Sequence, residues 1–293
     1  MADEDSTLPR RQLGRQLREY REQAGMTLSQ AARLVEIGTT TLHSLEKGGV
    51  GKVRVRTVQH LCEVYERPDD EIAAMKHLAQ QAAVKSWHAE YNDLLPDNFD
   101  NYVGLEAAAR QLISYQELVP GLLQTDEYAR TMIRNYFAEE GDTDIDRRVE
   151  LRMTRQTIVK RKTEPVTLDV VLHESALRRA VGSPRIMAAQ LRHLADASTW
   201  PNVSVRILPF SAGMPMGLLP GPFVILDFGF DAKGRPVEPP VVYVESVVTA
   251  NIYLEKPHDV DRYRSVSAAL HGASLGAVDS RALLRKIAKE YQE

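Results

Sequence analysis

The chain holds a single cysteine, Cys62, in 293 residues, which excludes an intramolecular disulfide and any cysteine-based zinc cluster. It has no apolar run near the roughly 20 residues that span a bilayer. The opening "MADEDSTLPRRQLGRQ" also lacks the apolar core of a signal peptide, so a cytoplasmic location without membrane attachment is expected. Positive charge is not in excess, since the formal net charge is −3. Any polyanion-binding site must therefore be a local patch. His88, His193, His258 and His271 are scattered without metal-ligand spacing, and neither G-x-S-x-G nor G-x-G-x-x-G occurs. No metal, no cofactor and no catalysis are expected. At 43% apolar and 26% charged, the remainder is ordinary globular composition, long enough for two domains.

Periodicity divides the chain. Residues 1–10 are polar and read as a flexible arm, and residues 11–78 as a five-helix block. Its first helix has Leu13, Leu17, Tyr20 and Ala24 on one face and stops at Gly25. Thr27 opens the second, with Gln30 at capping-box spacing. A turn at Glu36–Gly38 leads to a third helix, 39–47, which Gly48 ends, and a fourth is expected over 57–65. Residues 79–163 read as further helices, among them "YVGLEAAARQLISYQEL". Beyond Pro165 the period becomes short apolar runs: "VTLDVVL", "VSVRILPF", "PFVILDF", "PVVYVES" and "NIYLE". The fold class expected is mainly α, with a C-terminal α+β part over 79–293 whose mixed, largely antiparallel sheet lies within 164–293.

The stretch "LEKGGVGKVRVRT" (Leu45–Thr57) could pass for a nucleotide P-loop. Val53 stands where the Mg²⁺-binding hydroxyl belongs, Glu46 stands where the first glycine belongs, and the preceding residues have helical spacing. A DNA backbone suits it better. If Leu42 and Leu45 point inward, then at about 100° per residue Thr40, His43, Ser44 and Lys47 point outward, flanked by Thr39 and Thr41 at the helix start. Hydroxyls can meet base edges in the major groove. Lys47, Lys52, Arg54 and Arg56 follow with no acid before Glu63, a basic segment suited to phosphates. The alternative is a helical bundle used for protein contact. Cys62, spaced between Val58 and Tyr65, reads as core.

On these residues, "GMTLSQAARLVEIGTTTLHSLEKG" (Gly25–Gly48) resembles the XRE or phage-repressor helix-turn-helix, with "LEKG" its most specific part. The resemblance implies base contacts at Thr39, Thr40 and Ser44, backbone contacts from the following loop, and a second-helix cap, Thr27 and Gln30, near phosphate. Leu28 stands where the family often has a phosphate-binding glutamine, and Glu36 where it often has glycine. Further on, "VPGLLQTDEYAR", "RMTRQ", "LHESALRR" and "GPFVILDF" resemble the WhiJ-type regulators of actinobacteria. That likeness implies control of differentiation or antibiotic production, a small partner protein encoded nearby, and an antitoxin-like character.

Two-half-site operators need two recognition helices about 34 Å apart, so a homodimer on double-stranded DNA, most simply a repressor at the nucleoid, is the expectation. The alternative is an antitoxin-like interaction module that binds DNA only for autoregulation, and a small-molecule ligand is left open. His173-Glu174-Ser175 and Glu245-Ser246 read as strand ends rather than catalytic sets, with Glu174 or Ser175 capping a short helix. "FSAGMPMGLLPGPF" (Phe210–Phe223) reads as a loop folded over the sheet, and "VPGLLQT" as a buried turn, either being able to contact a partner instead.

Overall fold

A computed structural model describes residues 7–49, 53–95, 99–218, 220–231, 233–245 and 251–293. The Leu13 and Leu17 stripe builds α1 (Thr7–Gln23), and both leucines are fully buried. The helix takes in residues 7–10 of the expected arm, because Pro9 falls in the first turn, where its missing N–H is not needed. Ala24 lies past the helix end and is exposed. There follow α2 (Leu28–Leu34), α3 (Thr39–Glu46), α4 (Val55–Val64) and α5 (Asp69–Ala82). Their shared core includes Leu13, Leu17, Ala31, Leu42, Val58, Leu61, Cys62 and Tyr65. Burial pushes the Cys62 thiol up to about 11.

One device ends the first four helices. At α1 the residue past the cap, Gly25, has φ +66°, and Gly25 N and Met26 N donate back to Glu22 O and Arg21 O. The same paired bonds close α3 at Gly48, with φ +69°. At α2 and α4 the left-handed position holds Glu36 (φ +56°) and Glu66 (φ +53°), each with a Cβ that disfavours it.

The chain separates into compact units at Met1–Glu90 and Tyr91–Glu293. The second begins with α6 (Phe99–Ala108), and then the sequence reading fails. "QLISYQ", expected to continue a helix, is strand β1 (Gln111–Gln116), so 79–163 is not wholly helical. Alanine-rich α6 carries its helical pattern across the junction, but ladders on both sides of β1 override it. Helices α7 (Asp126–Tyr136), α8 (Asp142–Arg155) and α9 (Thr157–Lys160) follow.

Next come β2 (Thr167–His173), α10 (Ser175–Arg178), α11 (Pro184–Ala197), β3 (Val203–Leu208), β4 (Phe223–Asp227), β5 (Val241–Val244), β6 (Ile252–Leu254), α12 (Pro257–Ala273) and α13 (Ala277–Glu290). The six strands form one sheet in the order β3-β2-β1-β4-β5-β6. Strands β1, β2 and β3 are parallel, β2 reaching β3 through α11, while β4, β5 and β6 pair antiparallel. The mixed sheet and flanking helices are the fold class read from the sequence.

Pleating gives the sheet two faces. Tyr115, Val171, Ile225 and Val242 pack with Val260 and Leu270 of α12. The alternate positions Leu112, Ser114 and Val170 line a cavity of about 510 Å³, closed by residues of α6, α7 and α8. Among the described residues, no helix is long and apolar enough to cross a membrane.

Candidate nucleic-acid interface

The α2–α3 pair is set by its caps. Thr27 Oγ1 accepts from Gln30 N (3.3 Å) and Gln30 Oε1 accepts from Thr27 N (2.8 Å), the reciprocal box expected from sequence. Both side chains are exposed, but the Gln30 amide oxygen is committed to this cap.

Helix α3 turns Leu42 wholly inward and Leu45 partly so. Thr39, Thr40, Thr41, His43 and Lys47 are exposed, Lys47 as the C-cap residue. Ser44 is half-buried, and a Cβ on Gly49 would lie 2.5 Å from its Oγ. Of the expected outward residues it is therefore the least free.

The basic segment is differently built from the loop expected. Helix α4 starts at Val55, two residues before its expected start, so Arg54 is its N-cap and Arg56 lies in its first turn. Arg54 makes no side-chain capping bond, and no acid occupies that turn. First-turn amides and two guanidiniums thus form one positive end. Lys47, Arg54 and Arg56 are exposed and form no ion pair among the described residues. Lys52, the remaining expected cation, lies outside the described residues.

What holds this face in place escaped the sequence reading. Glu46, one turn beyond Leu42 on the inward stripe, is buried, and its carboxylate takes Arg21 Nε at 2.7 Å and Nη2 at 2.9 Å. Arg21 also donates to Met26 O at 2.9 Å, tying the end of α1, the approach to α2 and the end of α3 together. The glutamate bond raises the arginine above its ordinary range. A charged residue on a buried helical stripe was the available signal. Gly14 completes the contact, since a Cβ there would lie 2.4 Å from Leu45 O.

Residues 12–75 match a family described as a helix-turn-helix domain. Residues 99–286 match the family described as "Domain of unknown function (DUF5753)". The chain belongs to the DUF5753 family. Its N-terminal unit is a helix-turn-helix domain of the XRE/Cro-like type, a DNA-binding fold, as its resemblance implied. No curated protein and no solved structure matches the chain.

The DUF5753 unit answers the other sequence expectations unevenly. Among the described residues, no group of three or more His, Cys, Asp or Glu side chains could hold a metal ion. His173 Nδ1 and Ser175 Oγ lie 2.8 Å apart, a contact not expected. Glu174 instead accepts from Phe210 N (2.9 Å) and Arg178 Nε (2.8 Å). Burial works against its ionisation, yet these bonds outweigh burial and hold the carboxyl below its usual range. Neither Glu174 nor Ser175 makes the expected side-chain cap on α10. Glu245 is exposed, and Ser246 lies outside the described residues.

The 210–223 loop does not fold over the sheet as expected. Phe210, Met214 and Leu218 are 55%, 65% and 64% exposed, while Ala212 and the final residue, Phe223, pack against the core. "VPGLLQT" is a turn, with Leu122 and Leu123 buried, and it also walls the cavity.

Proposed function

We propose that this chain is a sequence-specific transcriptional regulator, most simply a repressor, that inserts α3 into the major groove of an operator. The observation that carries this reading is the exposed hydroxyl face Thr39–Thr41, with His43 beside it. Lys47, Arg54 and Arg56 flank that face, unpaired among the described residues. Hydroxyls read base edges and the cations hold phosphates on either side. Thr27 and Gln30 set the approach of α2 to the backbone rather than serving as free phosphate ligands. A homodimer supplies the second recognition helix that a two-half-site operator needs. The likeness to WhiJ-type regulators supports control of development or secondary metabolism as the setting.

A second reading, an antitoxin-like module that binds a small partner protein, draws support from the outward Phe210, Met214 and Leu218. Methionine-rich exposed loops adapt to partner surfaces. Neither reading includes catalysis.

Selection of duplex fragments by the purified full chain gives the half-site and its spacing. With that site in hand, Arg54→Ala with Arg56→Ala should weaken all duplexes alike and reduce the salt slope by about 1 for each phosphate no longer neutralised. Thr40→Ala should cost about 1–3 kcal/mol at particular base pairs. An arginine pair that changes base preference, beside a silent Thr40, would reverse the assignment of roles.

A further inference from the structure

The cavity in the second unit is too organised to be a packing fault. At about 510 Å³ it falls within the size of small-molecule sites. It exists because β1, at the sheet centre, offers Ser114 where a large apolar side chain would fill the space. Tyr136, Arg179 and Glu245 line it and are also exposed, so it has a mouth.

One wall is aromatic. Phe99 stacks on Tyr102 at 5.4 Å between ring centres, and Tyr102 meets Tyr243 at 4.2 Å. Leu112, Val170 and Val224 supply an aliphatic floor. The Tyr243 hydroxyl is buried with no hydrogen-bond partner among the described residues.

The adjoining wall is cationic, its Arg155 guanidinium lying over the Phe99 and Tyr102 rings at 5.2 and 5.7 Å. Arg148, Arg152 and Arg155 recur at i, i+4 and i+7 along α8, and all three line the cavity. Two are neutralised: Arg148 by Glu140 (2.6 Å), and Arg155 by Glu106 through bonds of 2.8 and 2.9 Å. Arg152 is not. Among the described residues its hydrogen-bond acceptor is the neutral Gln124 amide oxygen at 2.6 Å, and Glu106 and then Glu245 act on it only through space. Burial first, then the neighbouring charge of Arg155, lowers its guanidinium to about 10, and it remains a cation at neutral pH. The site is built to present it. Gln124 also donates to Val119 O (2.8 Å), and Gln156 donates to Gly121 O and Gln124 O (2.9 and 2.7 Å). A Cβ on Gly121 would lie 3.2 Å from the Arg152 side chain.

We propose that the second unit binds a small apolar molecule carrying an anionic oxygen group, its body against the Tyr102–Tyr243 wall and its anion on Arg152. A carboxylate or a sulfonate shares the required chemistry, and Tyr243 is free to donate a further hydrogen bond. The site lies within this unit alone and does not depend on the DNA-binding reading.

The test uses the full chain with two fluorescent probes of one shape, anilinonaphthalene sulfonate and its neutral counterpart phenylnaphthylamine. Saturable binding of both, at one site per chain and with a cooperative melt whose midpoint rises with probe concentration, is expected. Arg152→Gln should weaken the sulfonate about tenfold or more and the neutral probe less than about threefold, as removal of a charge-assisted contact requires. Ser114→Leu, which fills the cavity without touching the arginines, should weaken both by about tenfold. Octanoate should displace the sulfonate probe at about tenfold lower concentration than octanol. Non-saturable binding, equal weakening of both probes in Arg152→Gln, or undiminished binding in Ser114→Leu would each overturn the proposal. Should Arg152→Gln fail to fold, Ser114→Leu and the displacement pair decide it.

Discussion

Each unit of this chain holds an arginine against a buried glutamate with two parallel hydrogen bonds, Arg21 on Glu46 and Arg155 on Glu106, and the two pairs serve different ends. In the first unit Arg21–Glu46 stands among packed apolar side chains and fastens α1 to the end of α3. In the second, Arg155–Glu106 stands beside a cavity and another guanidinium, Arg152. The chemistry of the pair is the same. What distinguishes a fastening from a site is whether the charges around it cancel and whether space is left beside them. Buried charge that cancels in a filled core holds a fold, whereas buried charge in excess beside a void can recruit a ligand.

The comparison can be broken most forcefully at the carboxylates. Glu46→Gln should cost the first unit about 1.5–3 kcal/mol, because the half-buried arginine loses a charge-assisted hydrogen-bonding partner. Glu106→Gln should cost the second unit at least as much, since two guanidiniums are then left without a contacting carboxylate. Hydrogen exchange on the full chain, followed separately over α1–α4 and over the sheet, reads each effect in its own unit. Undiminished protection in either variant would strip that pair of its role.

Glycine gives a sign test of intermediate size. Gly14→Ala pushes a methyl against Leu45 O, where a Cβ would lie at 2.4 Å, and should cost about 1–3 kcal/mol. Gly272→Ala in α12 meets nothing within 4 Å and should stabilise by up to about 1 kcal/mol through helix propensity. Melts that move in the same direction for both would deny the close α1–α3 approach. The smallest effect is expected at the left-handed glutamates. Glu36→Gly or Glu66→Gly should each add about 0.5–1 kcal/mol, strain relief exceeding the entropy that glycine adds to the unfolded chain. Denaturant midpoints that fall in both variants would contradict the strain.

Much of the first unit was legible because its signals are local. Thr27 with Gln30, the Leu42 and Leu45 stripe and the Gly25 and Gly48 stops each lie within one turn of what they specify. Strands β2 to β6 were legible for the same reason, being short apolar runs with turn residues on either side. Strand β1 was not, because its identity rests on ladders to segments more than fifty residues away, which no window around "QLISYQ" contains. The partners of Glu46 and of the α8 arginines were hidden likewise. Their anomaly, charge at helical spacing on an inward face, stands in the sequence, while the group that answers it lies 25 residues off for Arg21 and 49 for Glu106. The outward Phe210, Met214 and Leu218 were missed because loop apolar residues carry no periodicity that says which way they point.

The position of β1 bears on how the chain is made. Its ladder partners begin at Thr167 and at Phe223, so the middle of the sheet cannot zip until most of the polypeptide has left the ribosome. The helix-turn-helix unit lies within Met1–Glu90 and, being first out of the exit tunnel, can fold while the rest is still being translated. A message cut short before β4 would therefore release a finished DNA-facing head trailing an unzipped strand edge, the kind of surface on which chains aggregate.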